Sequence, residues 1–196
     1  MPVPPSLRIW WFDFDLKKKA RQLGEMLPEP SDLPGDAWST KRDRALRLGT
    51  PQSMTGRERR ARDAKCVGVV RVYGKSGTGS LGVQLYTWAT DDDADQFLPE
   101  MGPYRHLRPN WTISPAREVD GMSVLPMCRV ALAVEHDIST PKGDVISRVA
   151  VGSFGTTSIF ISASGREAAL SWNEIPPIAQ CIADRLSEGG QRVRPP

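Results

Sequence analysis

VGVVRVYGKSGTGSLGVQLYTW, residues 67 to 88, decides how the rest of the chain is read. Val67, Val69, Val70, Val72 and Tyr73 are β-branched or aromatic, which favours a strand. Gly74, Gly77 and Gly79 permit the positive φ angles of a tight connection. From Leu81 onward Val83, Leu85 and Thr87 alternate with Gln84, Tyr86 and Trp88, so a second strand has one aliphatic face and one aromatic and amide face. The letters Gly74-Lys75-Ser76 also suggest a phosphate loop. That motif needs a glycine five places before Gly74, where Val69 stands, and a helix after it, where a strand pattern follows. The stretch is therefore expected to be a hairpin, with Lys75 left as a weak anion contact.

Outward from the hairpin, Leu16, Ala20, Leu23 and Leu27 recur at helical spacing until Pro28 and Pro30 stop them. Thr90 is placed to cap a helix whose first turn holds Asp91, Asp92 and Asp93, ending near Pro99. Ile113 to Val119 is expected to be extended, with Asp120-Gly121 a hairpin turn. Further strands are expected over Val124 to Val134, Val145 to Phe154 and Ser158 to Ser162, with a turn at Thr140 to Asp144. A closing helix from about Glu174 to Glu188 has Pro176 and Pro177 in its first turn and a stripe of Ile175, Ile178, Ala179, Ile182 and Leu186. Gly189-Gly190 is expected to end it. Short turns between strands and single-faced helices give an α+β fold: an antiparallel sheet of about six strands covered by N-terminal, middle and C-terminal helices. Residues 1–6 are expected to be a mobile arm, 7–190 one domain and 191–196 a loose tail.

The chain has 196 residues, a 25% charged fraction and a net charge of +3. Such a small net charge exerts no general pull towards nucleic acid or membrane. Its distribution is uneven, because Lys41 to Lys65 carries +6 and the remainder −3. Within that segment Arg57, Arg59, Arg60, Arg62 and Lys65 are close enough to meet several phosphates. No aromatic residue interleaves them for base stacking, so a solvated charged connector competes with a nucleic-acid site. Trp10, Trp11, Phe12 and Phe14 form the densest aromatic cluster, suited to core, self-contact or a partner surface.

Three cysteines far apart, Cys66, Cys128 and Cys181, suggest reduced thiols packed as hydrophobes. The N-terminus lacks the pattern of a signal peptide and no stretch is apolar enough for a membrane helix, so cytoplasmic residence without membrane insertion is the expectation. Asp91-Asp92-Asp93-Ala94-Asp95 has the letters of a diphosphate-binding motif, but no second acidic cluster accompanies it, and helix capping explains it. His106 and His136 have no metal-ligand spacing and are expected on the surface or in loops. No serine lies in a nucleophile elbow. Neither a cofactor nor a metal is implied.

Leu27-Pro28 and Asp32-Leu33-Pro34-Gly35, then Trp38, open a pattern of strand pair, helix beginning with acidic and alanine residues, hairpins and closing helix. Over residues 27–188 this resembles small sensor and lipoprotein domains of actinobacteria with a Mog1/PsbP-like fold. The resemblance implies that fold and a non-enzymatic role in binding a ligand or partner; it transfers no site residue. Such domains usually sit outside the membrane behind a signal peptide or membrane helix, and neither is seen here. The residues thus point to an interaction module that binds a protein partner or itself. A nucleic-acid-associated protein using residues 41–65 and an enzyme of unrecognised type remain the alternatives.

Overall fold

β-Branched and aromatic residues on either side of a glycine-rich connection make residues 67–88 a strand pair. In a computed structural model, which describes residues 18–35, 38–46, 67–75, 79–97, 112–166 and 169–192, strand β2 (Val67–Lys75) pairs antiparallel with β3 (Gly79–Thr87). Lys75 lies opposite Gly79, so the glycine-rich stretch joins two strands and no helix follows it. Strand β1 (Trp38–Leu46) lies outside β2, with a bulge between Thr40 and Arg42. Helix α2 (Asp91–Phe97) follows β3, then the short strands β4 (Thr112–Ile113) and β5 (Arg117–Val119), and helix α3 (Gly121–Val124). Three long strands succeed them: β6 (Val130–Thr140), β7 (Gly143–Phe154) and β8 (Thr157–Gly165). Helix α4 (Ile175–Arg192) closes the chain, and helical residues 18–24 form α1.

All pairings are antiparallel in an eight-stranded sheet of order β1-β2-β3-β8-β7-β6-β4, with β5 also on β6. The expected α+β class stands, with eight strands in place of about six. The extra strands arise because Trp38–Leu46 joins the sheet and because Ile113 to Val119 divides into β4 and β5.

Period-two alternation gives the sheet two unlike faces. On the first, Leu81, Val83 and Leu85 of β3 and Ile159 and Ile161 of β8 have no exposed surface. Ile175, Ile178, Ala179 and Ile182 of α4 cover them, joined by Ala20 and Leu23 of α1 and by Leu27. Each such aliphatic side chain contributes about 1.5–3 kcal/mol when fully buried. Pro176 and Pro177 fit the first turn of α4, where their missing N–H groups are not needed.

A polar latch fastens residues 27–32 across this face. Tyr73 donates through its phenol to the Pro28 carbonyl at 2.5 Å, and Arg71 donates to the same oxygen at 2.9 Å. Arg71 also pairs with Glu29 and Asp43, each at 2.7 Å. From α4, Arg185 donates to the Leu27 carbonyl at 2.6 Å and pairs with Asp32 at 2.7 Å. Proline-rich backbone that makes no ladder of its own is satisfied by side chains from strand and helix.

The second face carries a smaller cluster of Trp88, Ala94, Val149, Val151 and Phe160 under α2. Thr90 caps that helix by accepting from the Asp93 N–H at 3.1 Å. The aspartates are used locally: Asp95 accepts from Ser153 and pairs with Arg129 at 2.6 Å, and Asp92 lies 3.5 Å from the same guanidinium.

Four local expectations need correction. Asp120 caps a helix by accepting from the Met122 N–H at 3.0 Å, so Asp120-Gly121 is not a hairpin turn. The strand expected over 124–134 runs six residues later, because Val124 and Leu125 are buried in α3 and its exit, while Glu135 and Asp137 are held in β6 by arginines. His136 is 1% exposed on a strand, not on the surface or in a loop. Helix α4 continues through Gly189-Gly190 to Arg192, so two residues of the expected tail are helical.

Replacing Tyr73 by Phe removes one buried hydrogen bond of the latch while Arg71 still satisfies Pro28. The expected loss is about 1 kcal/mol of unfolding free energy in a urea titration. An unchanged midpoint would mean the latch does not hold residues 27–32.

Candidate interaction surface

Among the described residues, Met122, Val130 and Leu132 are the exposed large apolar side chains, at 44%, 37% and 44%. Val130 and Leu132 lie together on β6, whereas Met122 belongs to α3, whose Val124 and following Leu125 are buried in the core of the first face. A Cβ at residue 121 would lie 2.4 Å from the Ala131 carbonyl oxygen and 2.7 Å from the Leu132 nitrogen, so glycine lets α3 lie directly on β6. Met122 follows on the capped turn beside that contact. Val130 and Leu132, two residues apart, share the second face of the sheet. Register puts Leu132 opposite Val151 and Val134 opposite Val149, so the exposed positions continue the apolar cluster of that face. Arg129, held by Asp95, gives the surface a charged rim. Two neighbouring exposed apolar side chains, Val130 and Leu132, beside a charged rim suit a protein contact.

The opposite side of β6 is charged and closed. Arg117 of β5 pairs with Glu135 at 2.7 Å and Asp137 at 2.6 Å. Arg148 of β7 pairs with Glu135 at 2.6 Å, donates to the Leu170 carbonyl at 2.6 Å, and its guanidinium carbon lies 5.5 Å from the centre of the Trp172 ring. Burial opposes ionisation of Glu135, yet hydrogen bonds from Arg117 and Arg148 hold its carboxyl below the usual range. The Arg117 hydrogen bond lowers Asp137 likewise. These carboxylates bind β5, a strand of three residues, to the sheet.

Cys128 is 4% exposed, and burial pushes its thiol up to about 12, so it is not a thiolate at neutral pH. Cys181 is half-buried and its thiol is also raised by burial. Lys75 lies over the Trp38 ring, 5.5 Å from its centre, on the first face. Among the described residues no group of three or more His, Cys, Asp or Glu side chains converges to hold a metal ion, and no helix is long and apolar enough to cross a membrane.

The aromatic candidates Trp10, Trp11, Phe12 and Phe14 and the basic candidates Arg57, Arg59, Arg60, Arg62 and Lys65 lie outside the described residues, as do Cys66 and His106. Sequence reasoning missed Met122, Val130 and Leu132. Alternation marks Val130 and Leu132 as sharing one face, but not that the face is uncovered there.

No known protein family and no curated protein matches the chain. Among solved structures, the extracellular domain of PknH from Mycobacterium tuberculosis matches with a TM-score of 0.57 at 11% identity, covering 86% of this chain and 96% of that one. An uncharacterised protein (Rv0999 ortholog) from Mycobacterium smegmatis matches with a TM-score of 0.40 at 12% identity, over 85% of this chain and 94% of that one. At 11% identity the PknH likeness is one of fold. It overturns the expectation of cytoplasmic residence, since the structure sharing the fold is an extracellular domain.

Both carboxylates have depressed pKa values in the folded state, so their stabilising effect is complete above the ordinary carboxylate range, near pH 4, and is lost as pH falls below it. Amide exchange of residues 117–119 is expected to accelerate below about pH 4 relative to β7, and Arg117→Leu should abolish that pH dependence by making exchange of β5 fast at every pH. Equal protection of β5 and β7 through the acid range would contradict this role for the ion pairs.

Proposed function

We propose that the chain is a non-enzymatic interaction module of sensor type that works outside the cytoplasm. It contacts a protein partner or a second copy through Val130 and Leu132. The exposed side chains of Val130 and Leu132, which continue the apolar cluster of Val149 and Val151, carry this reading. Likeness in fold to an extracellular domain of PknH supports the location. A Mog1/PsbP-like relationship of the fold, and a share in partner binding for Trp10, Trp11, Phe12 and Phe14, belong to the same proposal. A second reading rests on the +6 charge of residues 41–65: nucleic-acid association through Arg57, Arg59, Arg60, Arg62 and Lys65. It predicts binding to DNA or RNA that falls steeply with salt.

Val130→Glu with Leu132→Glu places charge on the proposed surface without touching the buried first face. Purified wild-type chain is expected to capture a partner from an envelope fraction, or to self-associate in light scattering. The double variant should lose that contact by about tenfold or more in affinity while keeping its melting temperature. Retention of the contact in a folded double variant would contradict the surface. A protease added to intact cells is expected to digest the native protein; full protection, with digestion only after lysis, would contradict the location.

A further inference from the structure

The two edges of the sheet are unlike. On one side β6 is flanked by β4 and β5 and, at Ala131 and Leu132, by the start of α3. On the other side β1 is the last strand in the order, and among the described residues it pairs with β2 alone. Strand β1 has nine residues, as many as β2 and β3, with no proline or glycine in Trp38–Leu46. Ser39, Thr40, Lys41, Arg42 and Asp43 are exposed in succession. An edge strand presents a row of backbone N–H and C=O groups that point away from its neighbour, and proteins ordinarily shorten or cover such an edge. Strand β1 carries a bulge and charges, but it is neither short nor covered by a described element.

Charge decides the occupant. Asp43 and Glu29 both pair with Arg71, each at 2.7 Å, so the carboxylates at this edge are already used. Lys41 falls in the bulge between Thr40 and Arg42 with no register partner on β2, and its methylenes lie over Gly74. Arg42 stands opposite Val72. No carboxylate among the described residues pairs with Lys41 or Arg42, and both are exposed. A second copy laid antiparallel on the same strand would set these cations against their own equivalents, which is destabilising. A nucleic acid would meet the cations, but it has no alternating donors and acceptors for the backbone row. An acidic peptide satisfies both.

We propose that β1 takes an extended acidic segment of a partner protein as an added outer strand. Main-chain hydrogen bonds to the outward groups of Trp38–Leu46 supply the affinity, and glutamate or aspartate at alternate positions meets Lys41 and Arg42. This edge is separate from Val130 and Leu132, which lie on β6 towards the other end of the strand order.

The test is a nuclear magnetic resonance titration of the isotope-labelled full chain with a synthetic peptide that alternates glutamate with valine and threonine. Saturable shifts are expected at the amides of Ser39 to Asp43, with slower exchange of the β1 amides that face outward. The same peptide N-methylated at alternate residues along its pairing edge cannot donate to the row, and should bind about tenfold or more weaker. Lys41→Glu with Arg42→Glu should weaken binding of the unmodified peptide by about tenfold or more without changing the melting temperature. No saturable shift, equal affinity of the N-methylated peptide, or indifference to the charge reversal would overturn the proposal. So would tighter binding of a single-stranded oligonucleotide of equal charge at the same amides, or shifts confined to Val130 and Leu132.

Discussion

The structure depends on the pairing of β3 with β8, nine residue pairs that join Gly79–Thr87 to Thr157–Gly165. Among the strand pairs this contact alone joins β1-β2-β3 to β8-β7-β6. Residues 88–156 intervene, so the contact closes a long loop at an entropic cost that local turns do not carry. What offsets it is the first face. Val83 lies opposite Ile161 and Leu85 opposite Ile159, all without exposed surface. Helix α4 then seals that seam with its isoleucine stripe.

Once the seam is closed, the two faces take different roles. The first is filled by α1, α4 and the latched residues 27–32, and its charges are used in holding backbone: Arg71, Arg185 and Arg148 all donate to carbonyl oxygens as well as to carboxylates. The second is covered among the described elements by α2, at the end where Trp88 and Phe160 lie. Away from α2 it presents apolar surface at Val130 and Leu132 and a polar line at Ser80 and Ser164.

The hairpin was legible from residues 67–88, since glycine spacing and alternation both depend on the local backbone. The stripe of α4 and the Thr90 cap were legible for the same reason. Partner choice was not: alternation shows that Val83 and Leu85 face a core but not that β8 lies beside them. The β6 boundaries were misread because Glu135 and Asp137 look like loop residues until Arg117 and Arg148 come within reach. Asp120-Gly121 was misread because the same two residues serve a hairpin turn or a helix cap, and the decision rests with Ala131 on another strand. The candidate surface was illegible because exposure depends on what covers a face and not on the residues in it.

The seam between β3 and β8 is tested most directly by interstrand nuclear Overhauser effects and amide exchange in the intact chain. Cross-peaks that place Val83 opposite Ile161 and Leu85 opposite Ile159, with β3 and β8 amides exchanging only through global unfolding, are the predicted result. Cross-peaks from β3 to any other strand on that side, or β3 amides exchanging as fast as those of the short strand β5, would contradict it.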